Sequence, residues 1–476
     1  MEHLLEKLTQ YSESGIYPCH MPGHKRKAWG ELPAQLYRLD ITEIDGFDNL
    51  HQPEGILKEL QEQAAACCGA EESYYLVNGS TGGILSAVSA ALPASGHILM
   101  ARNCHKSAYH AAYLRNLRTS YLYPKMLEDY DIFDMVSPEQ IEEALDKEPD
   151  IQAVLLVSPT YEGRISNIRH ISEIVHARGI PLIVDEAHGA HLGWSDAVHE
   201  NSCRQGADLV IQSVHKTLPA LTQTALLHVN GTIVDRERLR RFLHIYQSSS
   251  PSYLLMASID NALQYMERDG KKALDIFCSR YAAMCEKLGA CKALKFLPAD
   301  RQRQDIGKLL ISVKNTAITG RQLYDILLKR YRIQTEMAAE TFVLAMFTVN
   351  DGQEGYDRMT AALLEIDREL IQMQQAEIVP VPTQDRIVPP VSEMTLTEAW
   401  DRPREEVRLE QSVGRVVGEF INLYPPGVPL LVPGERMSGE LNRKIHTWIR
   451  KGMDVQGVRS CQDGYMIQVL TETEYK

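Results

Sequence analysis

Two apolar runs in the 476-residue chain end in groups whose chemistry depends on being held together. PLIVDEAH (181–188) carries Asp185 at the close of its apolar stretch, and DLVIQSVHK (208–216) ends in Lys216. Runs of this kind read as buried strands. As parallel neighbours they would deliver both groups to one C-terminal sheet edge, where open α/β sheets bind ligands. An amine and a carboxylate facing one crevice are the pair that pyridoxal 5'-phosphate (PLP) chemistry needs. The lysine forms an imine with the cofactor aldehyde. The carboxylate keeps the pyridine nitrogen protonated, so the ring accepts the electrons left when a bond to Cα breaks. Taken alone, either residue is equally an ordinary ion pair at a strand end.

Further runs point to the same edge. NGSTGG (78–83) stands between the strand candidate SYYLV (73–77) and a small-residue apolar helix. Its backbone N–H groups and the hydroxyls of Ser80 and Thr81, with Gly82 beside them, suit a phosphate at a helix N-terminus. No GK[ST] follows, so it is not a nucleotide-binding P-loop. The plainer alternative is a tight turn with a hydroxyl cap. RNCHKS (102–107) puts His105 in another strand-to-helix loop, where an imidazole can stack on a flat ring or simply cap the helix. DEAHGAH adds His188 and His191, but no HExxH and no third ligand at a suitable spacing, so no metal is expected.

The elements that must position these residues alternate along residues 73 to 230. HILMA (97–101), AVLLVSP (153–159) and TALLHV (224–229) complete the strand candidates, with helical patterns between them. The fold class is therefore α/β with a mostly parallel central sheet. Residues 255 to 290 read as helical. Residues 307 to 350 read as a smaller α+β unit with LLISV and TFVLAMFTV as strands, and IVPVPTQDRIVPPVSE (378–393) as a linker. The expected domains are 1–300 (an N-terminal arm plus the cofactor-binding major domain), 301–377 (small α+β domain) and 378–476 (linker and C-terminal domain).

Composition narrows the partners. A formal net charge of -13 disfavours nucleic acid and anionic membrane surfaces and is compatible with a cationic substrate. The nine cysteines are scattered without CxxC spacing and read as reduced thiols. The N-terminal MEHLLEKLTQYSESG lacks the apolar core of a signal peptide, and no run is long enough to span a membrane. A soluble cytoplasmic protein is expected.

HMPGHK (20–25), VNGSTGG, RNCHKS, DEAHGAH, SVHK and YPPGVPLLVPGE together, in this order, resemble the bacterial Orn/Lys/Arg decarboxylases, in the short form without an N-terminal wing domain. The resemblance covers nearly the whole chain. It implies the aspartate-aminotransferase-like PLP fold (fold type I), with a smaller α+β C-terminal region, and decarboxylation of arginine, lysine or ornithine. It implies Lys216 as the cofactor-binding lysine, Asp185 as partner of the ring nitrogen and His105 as the stacking imidazole. Ser80, Thr81, Ser213 and His215 are implied as phosphate and ring-side contacts, and His188 as a group near the ring oxygen and substrate. SSSP (248–251), with Ser249 as the candidate, is implied to reach a partner subunit's cofactor in a homodimer or higher homo-oligomer. Arg26 and Lys27 after HMPGHK, and QTA after the lysine, depart from the common pattern and leave substrate identity open. The alternatives are another fold type I reaction, such as an aminotransferase or aldol-type lyase, and an inactive PLP-binding homologue. Glu435, at the end of a proline-stiffened segment, is the expected reader of the substrate's positive end, and the acidic 41–50 loop is the next candidate.

Overall fold

The computed structural model describes residues 2–28, 30–300, 303–374, 389–423, 428–450, 452–462 and 464–471. Much of the linker 378–393 and part of the LYPPGVPLLVPGE segment lie outside the described residues.

The major domain is built on seven strands: β1 (Glu72–Leu76), β2 (His97–Ala101), β3 (Arg118–Leu122), β4 (Ala153–Val157), β5 (Leu182–Asp185), β6 (Leu209–Gln212) and β7 (Ala225–Val229). Their order is β1-β7-β6-β5-β4-β2-β3. Every neighbouring pair is parallel except those made by β7, which runs antiparallel to both β1 and β6. The sheet is therefore mostly parallel, with β1, β2, β4, β5 and β6 all ending at one edge. Strands β2, β5, β6 and β7 are buried along their whole length. That is why they read as unbroken apolar runs: helices cover both faces. β3 lies at the sheet edge and carries Arg118, Thr119 and Ser120, which hides it from a reading based on apolar runs.

The helix Gly79–Ala91 follows β1 and lies close on the sheet. A Cβ at Gly83 would come within 2.6 Å of Leu76 and 2.9 Å of Ile211, so only glycine allows this approach. The approach fixes where the helix N-terminus, and hence any phosphate bound there, sits relative to β6.

The smaller unit is a four-stranded antiparallel sheet of β8 (Lys295–Phe296), β9 (Lys308–Ser312), β10 (Met337–Ala338) and β11 (Phe342–Met346), ordered β8-β9-β11-β10. Because β8 pairs with β9, this sheet begins ahead of residue 301. One hydrophobic core runs from Leu4 of the N-terminal arm, through the helix Tyr253–Tyr265, into this unit as far as Leu370. The C-terminal residues form two three-stranded sheets with the helix Gly439–Arg450 around a separate core that includes Leu409, Leu431, Ile445 and Val469.

Candidate active site

Strand register brings the first two residues together. Asp185 ends β5 and pairs with Ile211 of β6, and Lys216 follows β6 on a short helix, Val214–Thr217. Asp185 is buried and accepts the Ala187 N–H at 3.1 Å. Burial raises its pKa, while Lys216 and the Ala187 N–H pull it down. Burial lowers the pKa of Lys216, and Asp185 offsets part of that. A lysine shifted in this direction keeps a larger share of nucleophilic amine near neutral pH.

His188 is buried three residues beyond β5. Its Nε2 lies 3.2 Å from Lys216 Nζ, and its Nδ1 lies 2.8 Å from Lys308 Nζ. Burial first, then the two lysines, push its pKa well below the ordinary imidazole value, so it is neutral between two amines. Tyr161, in the loop after β4, sets its ring edge-on to His188 with centroids 5.0 Å apart. The Tyr161 hydroxyl donates to Glu336 at 2.5 Å. Glu336 is exposed, lies just ahead of β10, and acts electrostatically on Lys216.

His105 caps the helix Lys106–Leu114, its Nδ1 accepting the Ser107 N–H at 3.2 Å. Burial, together with Lys216, lowers its pKa to about 4, so it too is neutral. Both roles weighed for His105 are thus compatible: Nδ1 caps while the imidazole face remains available for stacking.

The groups expected to hold a phosphate have the geometry for it. Ser80 and Thr81 occupy the first turn of the helix Gly79–Ala91, whose leading N–H groups have no partner within a helix. Ser213 Oγ is fully buried without a hydrogen-bond partner, at the N-cap of the Lys216 helix. Leaving such a hydroxyl unmade costs about 1–3 kcal/mol, which a bound phosphate oxygen would relieve. His215 gives Nδ1–H to the Thr224 carbonyl at 2.8 Å, which leaves Nε2 for another partner. These residues fit PLP. Ser249 is exposed, and its neighbour Ser248 donates its N–H to Asn78 of the same chain at 3.4 Å, so the segment lies beside this chain's own cradle.

One expectation needs correction, and two further segments can be placed. Glu435 is only 1% exposed, and both of its oxygens accept from Arg102, at 2.7 and 2.8 Å. It also accepts the Val432 N–H at 2.9 Å. The buried carboxylate is already charge-neutralised by the arginine fork, so it is not a free anion for a substrate's positive end. The acidic 41–50 loop turns Asp48 inward, where it accepts the N–H groups of Asn49, Glu54, Gly55 and Leu57. HMPGHK folds on its own arm: His20 meets Tyr11, and His24 meets Asp40. Lys308, Tyr161 and Glu336 were absent from the sequence reading. Tyr161 was within reach, since SPTYEG follows β4 at the same edge as the other loops.

A parallel sheet that gathers an acid, a lysine and a phosphate cradle at its carboxyl edge defines a fold type I PLP-dependent enzyme. The family model for the Orn/Lys/Arg decarboxylase major domain matches residues 3–299, and that for the family's C-terminal domain matches residues 389–470. The chain belongs to the Orn/Lys/Arg decarboxylase family. It is 30% identical over 479 residues to an arginine decarboxylase of Bacillus subtilis, covering 95% of this chain and 94% of that one. It is 32% identical over 467 residues to an arginine decarboxylase of Halalkalibacterium halodurans, with 95% and 94% covered. Its fold resembles that of a lysine decarboxylase of Francisella novicida, with a TM-score of 0.85 at 17% identity over 98% of this chain and 81% of that one. A more distant likeness is to the ureidoglycine-glyoxylate aminotransferase of Bacillus subtilis, with a TM-score of 0.52 at 15% identity over 68% of this chain and 86% of that one. The protein is a PLP-dependent carboxy-lyase acting on a small basic amino acid. No helix among the described residues is long and apolar enough to cross a membrane.

Proposed function

We propose that the chain decarboxylates L-arginine to agmatine and carbon dioxide, with Lys216 and Asp185 as the cofactor-holding pair and Glu336 as the group that reads the guanidinium. The observation that carries this reading is the Tyr161–Glu336 contact at 2.5 Å beside the Lys216–His188 pair. A carboxylate held by a tyrosine at the mouth of the site matches a planar, permanently charged guanidinium. The two sequence relatives covered over nearly their whole length are arginine decarboxylases, which supports the same substrate.

When bound, PLP supplies an electron sink for the bond broken at Cα. The chain's own residues do the rest. Asp185 holds a proton on the ring nitrogen. Lys216 would provide the amine that holds the cofactor aldehyde. His105 offers a flat neutral face, and Ser80, Thr81, Gly82, Ser213 and His215 anchor the phosphate end. The buried, neutral His188 keeps a proton-carrying group beside the Lys216 amine.

The working form we propose is a cytoplasmic homodimer in polyamine metabolism. Ile16, Tyr17, Met21 and Leu32 of the arm are exposed apolar side chains suited to covering by a second copy. All nine cysteines are unpaired, as a reducing compartment requires.

The test is a substrate panel on the purified holoenzyme, with amine product and carbon dioxide measured for arginine, lysine, ornithine and neutral citrulline. Arginine should give the highest kcat/KM. An equal or higher value for lysine or ornithine sinks the substrate assignment.

A further inference from the structure

Decarboxylation replaces a carboxylate with hydrogen, so every carbon dioxide released consumes one proton. That proton must reach the carbon that loses the carboxylate. Lys308 lies on the far side of His188 from Lys216 and is 2% exposed. It heads β9, where its backbone pairs with Met346 of β11, and its ammonium lies 3.3 Å from the Met346 sulfur. Gly163 closes over its stem: a Cβ there would come within 2.7 Å of Lys308 Cγ. Among the described residues, no carboxylate is within ion-pair distance of its Nζ. Its one strong partner is His188 Nδ1 at 2.8 Å.

A neutral imidazole donates from one nitrogen and accepts at the other. With an ammonium at Lys308, Nδ1 must accept, so Nε2 carries the hydrogen and faces Lys216 Nζ at 3.2 Å. The nitrogen at Lys216 must then be the acceptor. The three groups form a directed chain of donors running from Lys308 to the reacting amine.

We propose that Lys308 supplies the proton consumed in each turnover, passing it through His188 to Lys216. The balance is closed. The Lys308 ammonium loses a proton to Nδ1, and Nε2 gives its own proton to the Lys216 amine. The Lys216 ammonium then gives that proton to the carbon that lost the carboxylate. His188 is left neutral in the other tautomer and Lys308 as an amine, and uptake of a solvent proton at Nε2 with return of the Nδ1 proton to Lys308 restores the starting state. The relay rests on Lys216 being the cofactor lysine.

The groups facing Lys308 set its acidity. Burial lowers its pKa to about 8, and Asp305 on its own approach to the strand raises it in part. Lys216 lowers it further, while Glu336 and Glu162 act in the opposite sense. The Tyr161 ring lies 5.9 Å away, and His191 holds Asp305 at 3.0 Å. The acid form exists below that pKa. Turnover carried by the relay is therefore fully present at lower pH and falls as pH rises through about 8.

Three measurements test this. In the wild-type holoenzyme, kcat should fall as pH rises through about 8. Lys308→Met keeps length and packing but has no proton to give. It should lose 100-fold or more in kcat, within the range typical of general acid catalysis, lose that limb, and leave KM within a few-fold. Lys308→Arg keeps a cation that cannot deprotonate. Imidazole 15N spectra of the apo and loaded protein should show Nε2–H at His188 in wild type and in Lys308→Arg, but mixed tautomers in Lys308→Met, with turnover still depressed in the arginine variant. A wild-type profile without the limb, a methionine variant within a few-fold of wild type, or an arginine variant with full turnover each overturns the relay. The wild-type profile decides the matter even where the variants fail to fold. Borohydride trapping of the cofactor on a lysine other than Lys216 overturns the site assignment itself, by a readout separate from the kinetics.

Discussion

Two buried clusters of charge lie near the same sheet edge and differ in how they are satisfied. Arg102 and Glu435 meet through two hydrogen bonds and each has a further partner: Arg102 donates to the Leu430 carbonyl at 3.1 Å, and Glu435 accepts the Val432 N–H. The guanidinium also packs over the Tyr121 ring at 4.9 Å. Burial would lower its pKa, yet Glu435 beside it outweighs that. The second cluster sets two lysines on either side of one neutral imidazole. The first arrangement has no reason to change protonation and clips the segment Pro429–Leu431 to the loop after β2. The second is held short of full charge satisfaction, as groups with shifted pKa values at functional sites commonly are. Buried charge by itself therefore does not mark a site; incomplete pairing of that charge does.

Breaking the reactive cluster should have the largest effect. Lys216→Ala removes the amine, so turnover should fall by at least about 10⁴-fold, roughly 5 kcal/mol of transition-state stabilisation. Borohydride should then trap no covalent cofactor. Wild-type turnover in this variant would move the chemistry to another lysine.

Breaking the satisfied cluster should cost stability and spare the chemistry. Glu435→Gln leaves Arg102 buried without its counter-charge, which costs about 3–5 kcal/mol. Chemical denaturation should show that loss, with kcat near the wild-type value in the fraction that stays folded. Replacing both partners, with Arg102→Met and Glu435→Leu, should recover much of it. A kcat loss without a stability loss would return Glu435 to the substrate.

Asp185→Asn sharpens the comparison from within the site. The amide cannot hold the ring nitrogen protonated. Cofactor should stay bound by absorbance, while turnover falls about 100-fold, near 3 kcal/mol. Activity close to wild type would remove Asp185 from the chemistry.

How much of this was legible in the sequence follows from how each group is positioned. Asp185 closes, and Lys216 and His105 follow, apolar strands of the parallel set, while the Ser80–Thr81 turn follows β1, which points the same way although its one neighbour is antiparallel; all these strand ends reach one edge. Local sequence therefore placed them. Glu435 also ends an apolar, proline-stiffened run, and the same reasoning misjudged it, because its partner lies 333 residues away and no local pattern announces that pairing. Lys308 and Glu336 come from the antiparallel unit. There the register of β9, β10 and β11, set by tertiary packing, decides which side chains face the cleft. Edge strand β3 was missed for a related reason, since its polar residues break the apolar run.

The smallest expected effect concerns the rim of the reactive cluster. Glu336 is exposed, so water screens whatever charge it presents, and a single screened contact contributes about 1 kcal/mol or slightly more. Tyr161 holds the carboxylate in place, which leaves little ordering to be lost when a guanidinium arrives. Glu336→Gln keeps the shape and a hydrogen bond from Tyr161 but removes the charge. KM for arginine should rise about 5- to 10-fold, equivalent to roughly 1–1.4 kcal/mol, with kcat changed little at low pH, where Lys308 keeps its proton with or without the carboxylate. The preference for arginine over neutral citrulline should shrink by the same factor, and high salt should weaken the wild-type preference towards that of the variant. Equal KM values in variant and wild type, at low and high salt alike, would take substrate reading away from Glu336 and leave Tyr161 without its proposed task.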